Sequence, residues 1–134
     1  MNTSRLIIAS AVLALAGAAY SADKVDKFTE KNEARLAERL AGRTAGEPVD
    51  CIPLMRSNEL EVIEGVGLVY ESGDILYLAR PTDANKLSGN DVVLMDRYGS
   101  QLCYTDVVRT VDRLGGYYTG SVFLGKFIPY KKQE

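Results

Sequence analysis

The spacing of apolar residues changes twice along the chain. Residues 1–21, "MNTSRLIIASAVLALAGAAYS", open with a short polar segment carrying Arg5, continue as an apolar run from Leu6 to Ala19 and end in small residues. The run is shorter than a membrane-crossing helix requires and is followed at once by the charged stretch "DKVDKFTEKNE". That is the layout of a secretory signal peptide removed by a cut before Ala22, with a cut after Ala19 as the alternative, which predicts no stable membrane anchor afterwards. From Asp23 to Arg43 there is no proline, the one glycine is Gly42, and "EARLAERLAGR" is rich in helix formers, so the stretch predicts a helix. At 100° per residue Val25, Phe28, Leu36 and Leu40 share one thin stripe. "GRTAGEPVD", residues 42–50, holds two glycines and a proline, which end the helix and read as a hinge.

Beyond the hinge the spacing becomes two. In "ELEVIEGVGLVYE" Leu60, Val62, Val66, Leu68 and Tyr70 share a side, and Glu64 beside Gly65 interrupts the run as a bulge or bend would. "ESGD", residues 71–74, supplies a tight turn and "ILYLARP" returns as the second arm of a hairpin. "TDANKLSGN" is a polar loop, and "DVVLMDRYGSQLC" resumes strand character. In "YTDVVRTVDRL" the apolar spacing also fits a helix, but the β-branched content favours a strand. "GGYYTG" turns the chain into a last strand over residues 121–130, apolar on both sides. The predicted fold is mainly β: a small antiparallel barrel or sandwich of five to six strands preceded by one N-terminal α-helix. The organisation that follows is a signal peptide over 1–21, a helix and hinge over 22–47, and a single β-rich domain over 48–134.

Export changes how the cysteines are read. Cys51 and Cys103 are the only two, and in an oxidising compartment they can satisfy each other once, so a structural disulfide is expected. A redox or zinc site is disfavoured, because there is no C-x-x-C spacing, histidine is absent and two sulfurs fall short of four zinc ligands. The missing histidine also removes the commonest general base. With Arg5 set aside, 15 basic residues face 18 acidic ones, which gives no electrostatic reason to expect nucleic acid as a partner. Along the helix Lys24, Lys27, Lys31, Arg35, Arg39 and Arg43 form a basic strip beside Asp23, Asp26, Glu30 and Glu33; the near balance reads as a solvated face more than as a polymer-binding one.

Three stretches imitate chemistry. "GSVFLGKF", residues 120–127, fits G-x-x-x-x-G-K of a phosphate-binding loop but places Phe127 where Ser or Thr must hold magnesium, and its interior is strand-like. "DANKLSGND" offers Asp83, Asn85, Ser88, Asn90 and Asp91 as oxygen ligands, but Leu94 stands where a calcium-binding loop needs its bidentate Glu. "SADK" at 21–24 is an S-x-x-K that straddles the expected cut. No cofactor and no metal is implied. Asp96, Asp106 and Asp112 lie near Cys103 and are the carboxylates a histidine-free hydrolase would use; salt links of Asp96 with Arg97, and of Asp112 with Arg113 or Arg109, are the plainer expectation.

The signal peptide together with "LAGRTAGEPVDCI", "LVYESGDILYLARP", "YGSQLC" and "FLGKFIPY" resembles a group of small uncharacterised exported proteins of alphaproteobacteria, over residues 36–130. The resemblance implies an exported domain with framework cysteines and carries no activity. Two functions remain. One is a non-catalytic envelope domain binding a protein, a wall polymer or a small apolar ligand through Tyr70, Tyr77, Tyr98, Tyr117 and Tyr118. The other is a hydrolase working through Asp and Glu, which would need two carboxylates with raised pKa values in a deep pocket.

Overall fold

A computed structural model describes residues 16–55, 60–96 and 99–134, and the backbone alone of residues 16–26. Among the described residues one helix, α1 (Ala16–Leu40), precedes ten strands: β1 (Arg43–Ala45), β2 (Cys51–Pro53), β3 (Leu60–Ile63), β4 (Gly67–Ser72), β5 (Ile75–Ala79), β6 (Asp91–Met95), β7 (Gln101–Cys103), β8 (Val107–Asp112), β9 (Tyr118–Phe123) and β10 (Phe127–Lys132). The first turn of α1 falls within the stretch read as an export signal. The helix stops where Gly42 takes a φ of 72°, a left-handed conformation that glycine adopts without steric cost.

The strands form a five-stranded antiparallel sheet in the order β1-β10-β5-β4-β3, a three-stranded sheet β6-β8-β9, and a two-stranded ribbon β2-β7. The large sheet is covered on both faces. Toward the smaller sheets it turns Leu68, Tyr70, Ala79 and Phe127, which meet Ile52, Leu102, Val108 and Val122 in the main core. Toward α1 it turns Val69, Leu76 and Leu78, which close over Leu36, with Leu40 and Tyr130 at the margin. Double coverage explains why β4 is buried at successive positions instead of alternating.

Of the predicted helix stripe, Leu36 does the burying while Phe28 stays half-exposed; Val25 lies outside the described side chains. The charged strips fasten the helix on either side of Leu36. Arg35 and Arg39 reach Glu61, Arg43 reaches Glu71 at 2.9 Å, and Glu33 takes both arms of Arg80 at 2.5 and 2.8 Å. The Arg35 and Arg80 pairs are largely exposed and each worth little, whereas the Arg43 side chain, just past the helix in β1, is 7% accessible; together the pairs set where the helix lies.

The mainly β fold with its leading helix is as expected, and the described sheets make a sandwich-like stack, not a closed barrel. The strands number ten where five or six were predicted, because several predicted strands are split and short ladders add others. The interruption at Glu64–Gly65 is a full turn between β3 and β4, in which Gly65 takes a φ of 72° and Val66 N–H donates to Ile63 O at 3.0 Å. Thr29 packs over that glycine so closely that a Cβ there would lie 2.9 Å from its hydroxyl. The predicted last strand is two strands in different sheets, β9 and β10, with residues 124–126 crossing between them. At the crossing a Cβ on Gly125 would meet the Arg80 carbonyl at 2.5 Å.

The hinge is also a correction. β1 pairs with β10, Gly46 N–H donates to Pro129 O at 2.7 Å, and Val49 exchanges both backbone bonds with Phe127 at 2.8 and 2.9 Å. The edge of β10 offered partners that this backbone would otherwise lack. The predicted hairpin is present, with Ser72 opposite Ile75 and Gly73 at a φ of 60°. Residues 107–112 form a strand, as their β-branched content predicted.

Candidate functional site

The disulfide is formed, between Cys51 and Cys103, which stand opposite each other in the β2-β7 ribbon. Tyr104 N–H donates to Asp50 O and Leu54 N–H to Ser100 O, each at 2.9 Å. The alternation of an antiparallel ladder then puts the cysteines at a non-hydrogen-bonded pair, where side chains come closest. Cys103 N–H is satisfied instead by Asp106 Oδ2 at 2.8 Å. The bridge therefore belongs to the framework, with fully buried Ile52 and Leu102 beside it.

The tyrosines do not form one surface. Tyr70 is buried in the main core, its hydroxyl accepting a bond from Met55 N–H at 2.8 Å and its ring stacked on half-buried Tyr77 at 6.4 Å between centroids. Tyr117 and Tyr118 stand exposed at the β8-β9 hairpin, and Tyr98 lies outside the described residues. The three carboxylates near Cys103 are dispersed into structural tasks. Asp96 pairs with Arg109, while Arg97 lies outside the described residues. Asp106 holds Cys103 N–H, and Asp112 accepts from Leu114 and Gly115 N–H and from Asn90 Nδ2. The Gly115 N–H bond, helped by Asn90 and Leu114, holds the Asp112 carboxyl below its usual range. Asp112 thus serves as a turn cap and takes neither arginine named as its partner.

The imitated motifs have structural roles as well. Ser121–Phe123 of the phosphate-loop match are extended in β9, so their N–H groups do not converge, and Lys126 Nζ sits 2.9 Å from Asp50. In the oxygen-rich loop Asp83 is paired with Lys86 at 2.9 Å. Leu87 from that loop is buried in the core. Asp91 is buried too, accepting from Ser88 N–H at 3.1 Å and from the Thr119 hydroxyl at 3.0 Å. Among the described residues no three acidic or sulfur side chains gather as metal ligands would.

The feature that sequence reasoning missed is a cleft of about 530 Å³ where β3 and β6 approach each other. Both are terminal strands of their sheets, and no ladder joins them. Arg113 N–H donates to Asn90 O, which sets the alternation along β6: Val92 and Leu94 bond to β8, while the N–H and C=O of Val93 and Met95 point to the open edge. Leu60 and Val62 from one strand, and Val93 and Met95 from the other, pack on the main core and floor the cleft. Phe28, Asn32 and Arg35 of α1 overhang it, and Arg113 stands at its rim.

One end is closed by Glu64, which accepts from Gly89 N–H at 3.0 Å while its own carbonyl accepts from Asn32 Nδ2 at 2.9 Å. Chemically the cleft offers a backbone edge, an apolar floor and charged rims. Its carboxylates already have partners: Glu61 with Arg35 and Arg39, Glu64 with Gly89, and Asp91 with Ser88 and Thr119. No sequence signal marked it, since the apolar run Val92–Met95 alternates between exposed Val92 and Leu94 and partly buried Val93 and Met95, as in any strand with one solvated face. Among the described residues no helix is long and apolar enough to cross a membrane. No protein-family model, no curated protein and no solved structure matches the chain.

Proposed function

We propose that the chain is an exported, disulfide-stapled domain of the cell envelope that binds an extended segment of another protein in the cleft between β3 and β6, without catalysis. The observation that carries this reading is the pair of unjoined strand edges facing each other over an apolar floor. An extended peptide laid there adds a strand to β6 through Val93 and Met95, and seats alternate apolar side chains against Leu60, Val62 and the core. The disulfide and the lack of a membrane-crossing helix among the described residues agree with an exported domain. The engaged carboxylates speak against hydrolysis, since a general acid or base needs a carboxyl free to exchange a proton with its substrate, and those of the cleft are held by protein partners.

The test is a screen of immobilised linear ten-residue peptides, repeated with Val93→Pro. The substitution removes an N–H that points away from β8, so the β6-β8 ladder is kept while the added strand loses a bond. Binders with alternating apolar residues are expected, and Val93→Pro should abolish their capture with the thermal midpoint nearly unchanged. Capture that survives the substitution in a folded chain rules out pairing at this edge.

A further inference from the structure

The two faces of the sheet β6-β8-β9 differ in what covers them. The inner face carries Val108, Thr110 and Val122, all buried. The register defines the outer face: Val111 stands beside Tyr118, Arg109 beside Leu94, and Val107 beside Phe123. The bulge where Val111 meets Tyr118 frees Thr119 to turn inward and bond Asp91, which directs Tyr118 outward with its hydroxyl 2.7 Å from Ser121, the neighbour of Arg109. Phe123, Tyr118 and Val107 are 65%, 61% and 52% accessible, and Leu94 is exposed as well. An antiparallel sheet that ends in water alternates apolar inside with polar outside. This one is apolar on both sides, and Arg109 is the one charged side chain that its three strands turn outward. The large sheet, also apolar on both faces, is covered on both; the small sheet is covered on one.

We infer that the outer face of β6-β8-β9 is covered by the same face of a second copy of the chain, the two sheets stacking about a two-fold axis. Charge selects that occupant. Arg109 is answered within its own chain by Asp96, so the face carries no surplus charge that an acidic or basic partner would match, and it stacks on itself without opposing unpaired like charges. Aromatic and aliphatic side chains around one arginine, with no lysine or glutamate, are also the composition of a homodimer interface core. The area agrees. Aromatic rings present about 150 to 250 Å² each, so Phe123 and Tyr118 expose about 250 Å² between them and the aliphatic side chains about as much again; two copies then bury on the order of 1,000 Å², where specific interfaces begin. An interface of that size makes an exchanging dimer and not a permanent one.

Val92 lies where this face meets the β3-β6 cleft. Stacking uses side chains above the sheet, whereas the cleft presents the backbone edge of β6, so the inference does not rest on peptide binding.

Sedimentation velocity of the purified chain between about 10 µM and 1 mM, the range of a small interface, is the test. The coefficient is expected to rise from monomer to dimer and no further, because a two-fold face is used up by one partner. Val107→Glu places an unpaired carboxylate in each half of the interface and Phe123→Gln removes a ring; each should weaken dimerisation at least about tenfold. The thermal midpoint at the dilute end should hold in both variants, since both side chains point away from the core. Val93→Pro, which disables the open β6 edge, should leave the dimer intact. Three results overturn the inference: a parent chain that stays monomeric at the top of the range, a dimer that Val107→Glu and Phe123→Gln leave untouched, or one that Val93→Pro dissolves, which would mean that copies pair edge to edge through the cleft. Val107→Glu should keep peptide capture while Val93→Pro keeps the dimer, so the two readings fail separately.

Discussion

Replacing Cys51 or Cys103 with serine tests how the β2-β7 ribbon is held. The ribbon has three paired positions, and a two-stranded ribbon of that length is marginal without support. Two things hold it: burial of Ile52 and Leu102, and the bridge between residues 52 apart in sequence. Closing such a loop restricts the unfolded chain by about 14 cal/mol/K, which is about 4 kcal/mol at 25 °C. With an unfolding entropy of about 2.1 cal/mol/K per residue over the chain, that corresponds to a midpoint lower by roughly 14 °C. Both cysteines are half-buried, so the serine hydroxyl adds little cost of its own at either site. Cys51→Ser and Cys103→Ser should therefore fall by equal amounts, and the double variant by hardly more than either, since a bridge is lost only once. Thermal unfolding followed by circular dichroism, with urea titration for the free energy, measures all four chains, and the reduced parent chain should match the double variant. Singles that differ by more than about 1 kcal/mol, or a double variant that adds their costs, would show that one sulfur has a role outside the bridge.

Leu36→Ala should cost about 2 to 5 kcal/mol, because the side chain fills the space between α1 and Val69, Leu76 and Leu78; calorimetry checks the loss, and hydrogen exchange should rise first in the helix. Gly67→Ala would drive a Cβ into the Ala79 carbonyl across the β4-β5 ladder, and should destabilise by at least about 2 kcal/mol in a urea titration; a neutral result would mean the strands can part there without cost. The Arg80 guanidinium bonded to Glu33 holds that carboxyl below its usual range, so the pair's contribution is full above the ordinary glutamate range and is lost as pH falls through the depressed folded value. Glu33→Gln should consequently flatten the acid limb of the stability-against-pH curve, by less than about 1 kcal/mol since both side chains are largely exposed. An unchanged acid limb would place the charge dependence elsewhere.

Local signals in this chain were sufficient for the elements whose causes are local. Helix formers without proline placed α1, the "ESGD" turn placed the β4-β5 hairpin, and β-branched residues placed β8, because propensity and turn chemistry act over a few residues. The cysteine count was enough for the bridge, since two thiols in one oxidised chain have a single way to pair. Misreadings arose where a partner far away in sequence decided the outcome. The segment after the helix reads as a hinge until β10 offers it an edge, and residues 121–130 read as one strand until Gly125 must pass against Arg80 to change sheets. Tyr70 and Tyr118 are equal candidates for a binding surface in the sequence, yet packing puts one in the core and a bulge turns the other to solvent.

What the amino-acid order determined by itself was the class of the fold, its covalent staple and the apolar start of the chain, all written in composition and short-range pattern. Only the tertiary structure decided which two strand edges stay open and which apolar side chains line an uncovered sheet face. The physical reason is that a cleft or an exposed face belongs to the distance between elements, and that distance is set by how whole sheets pack.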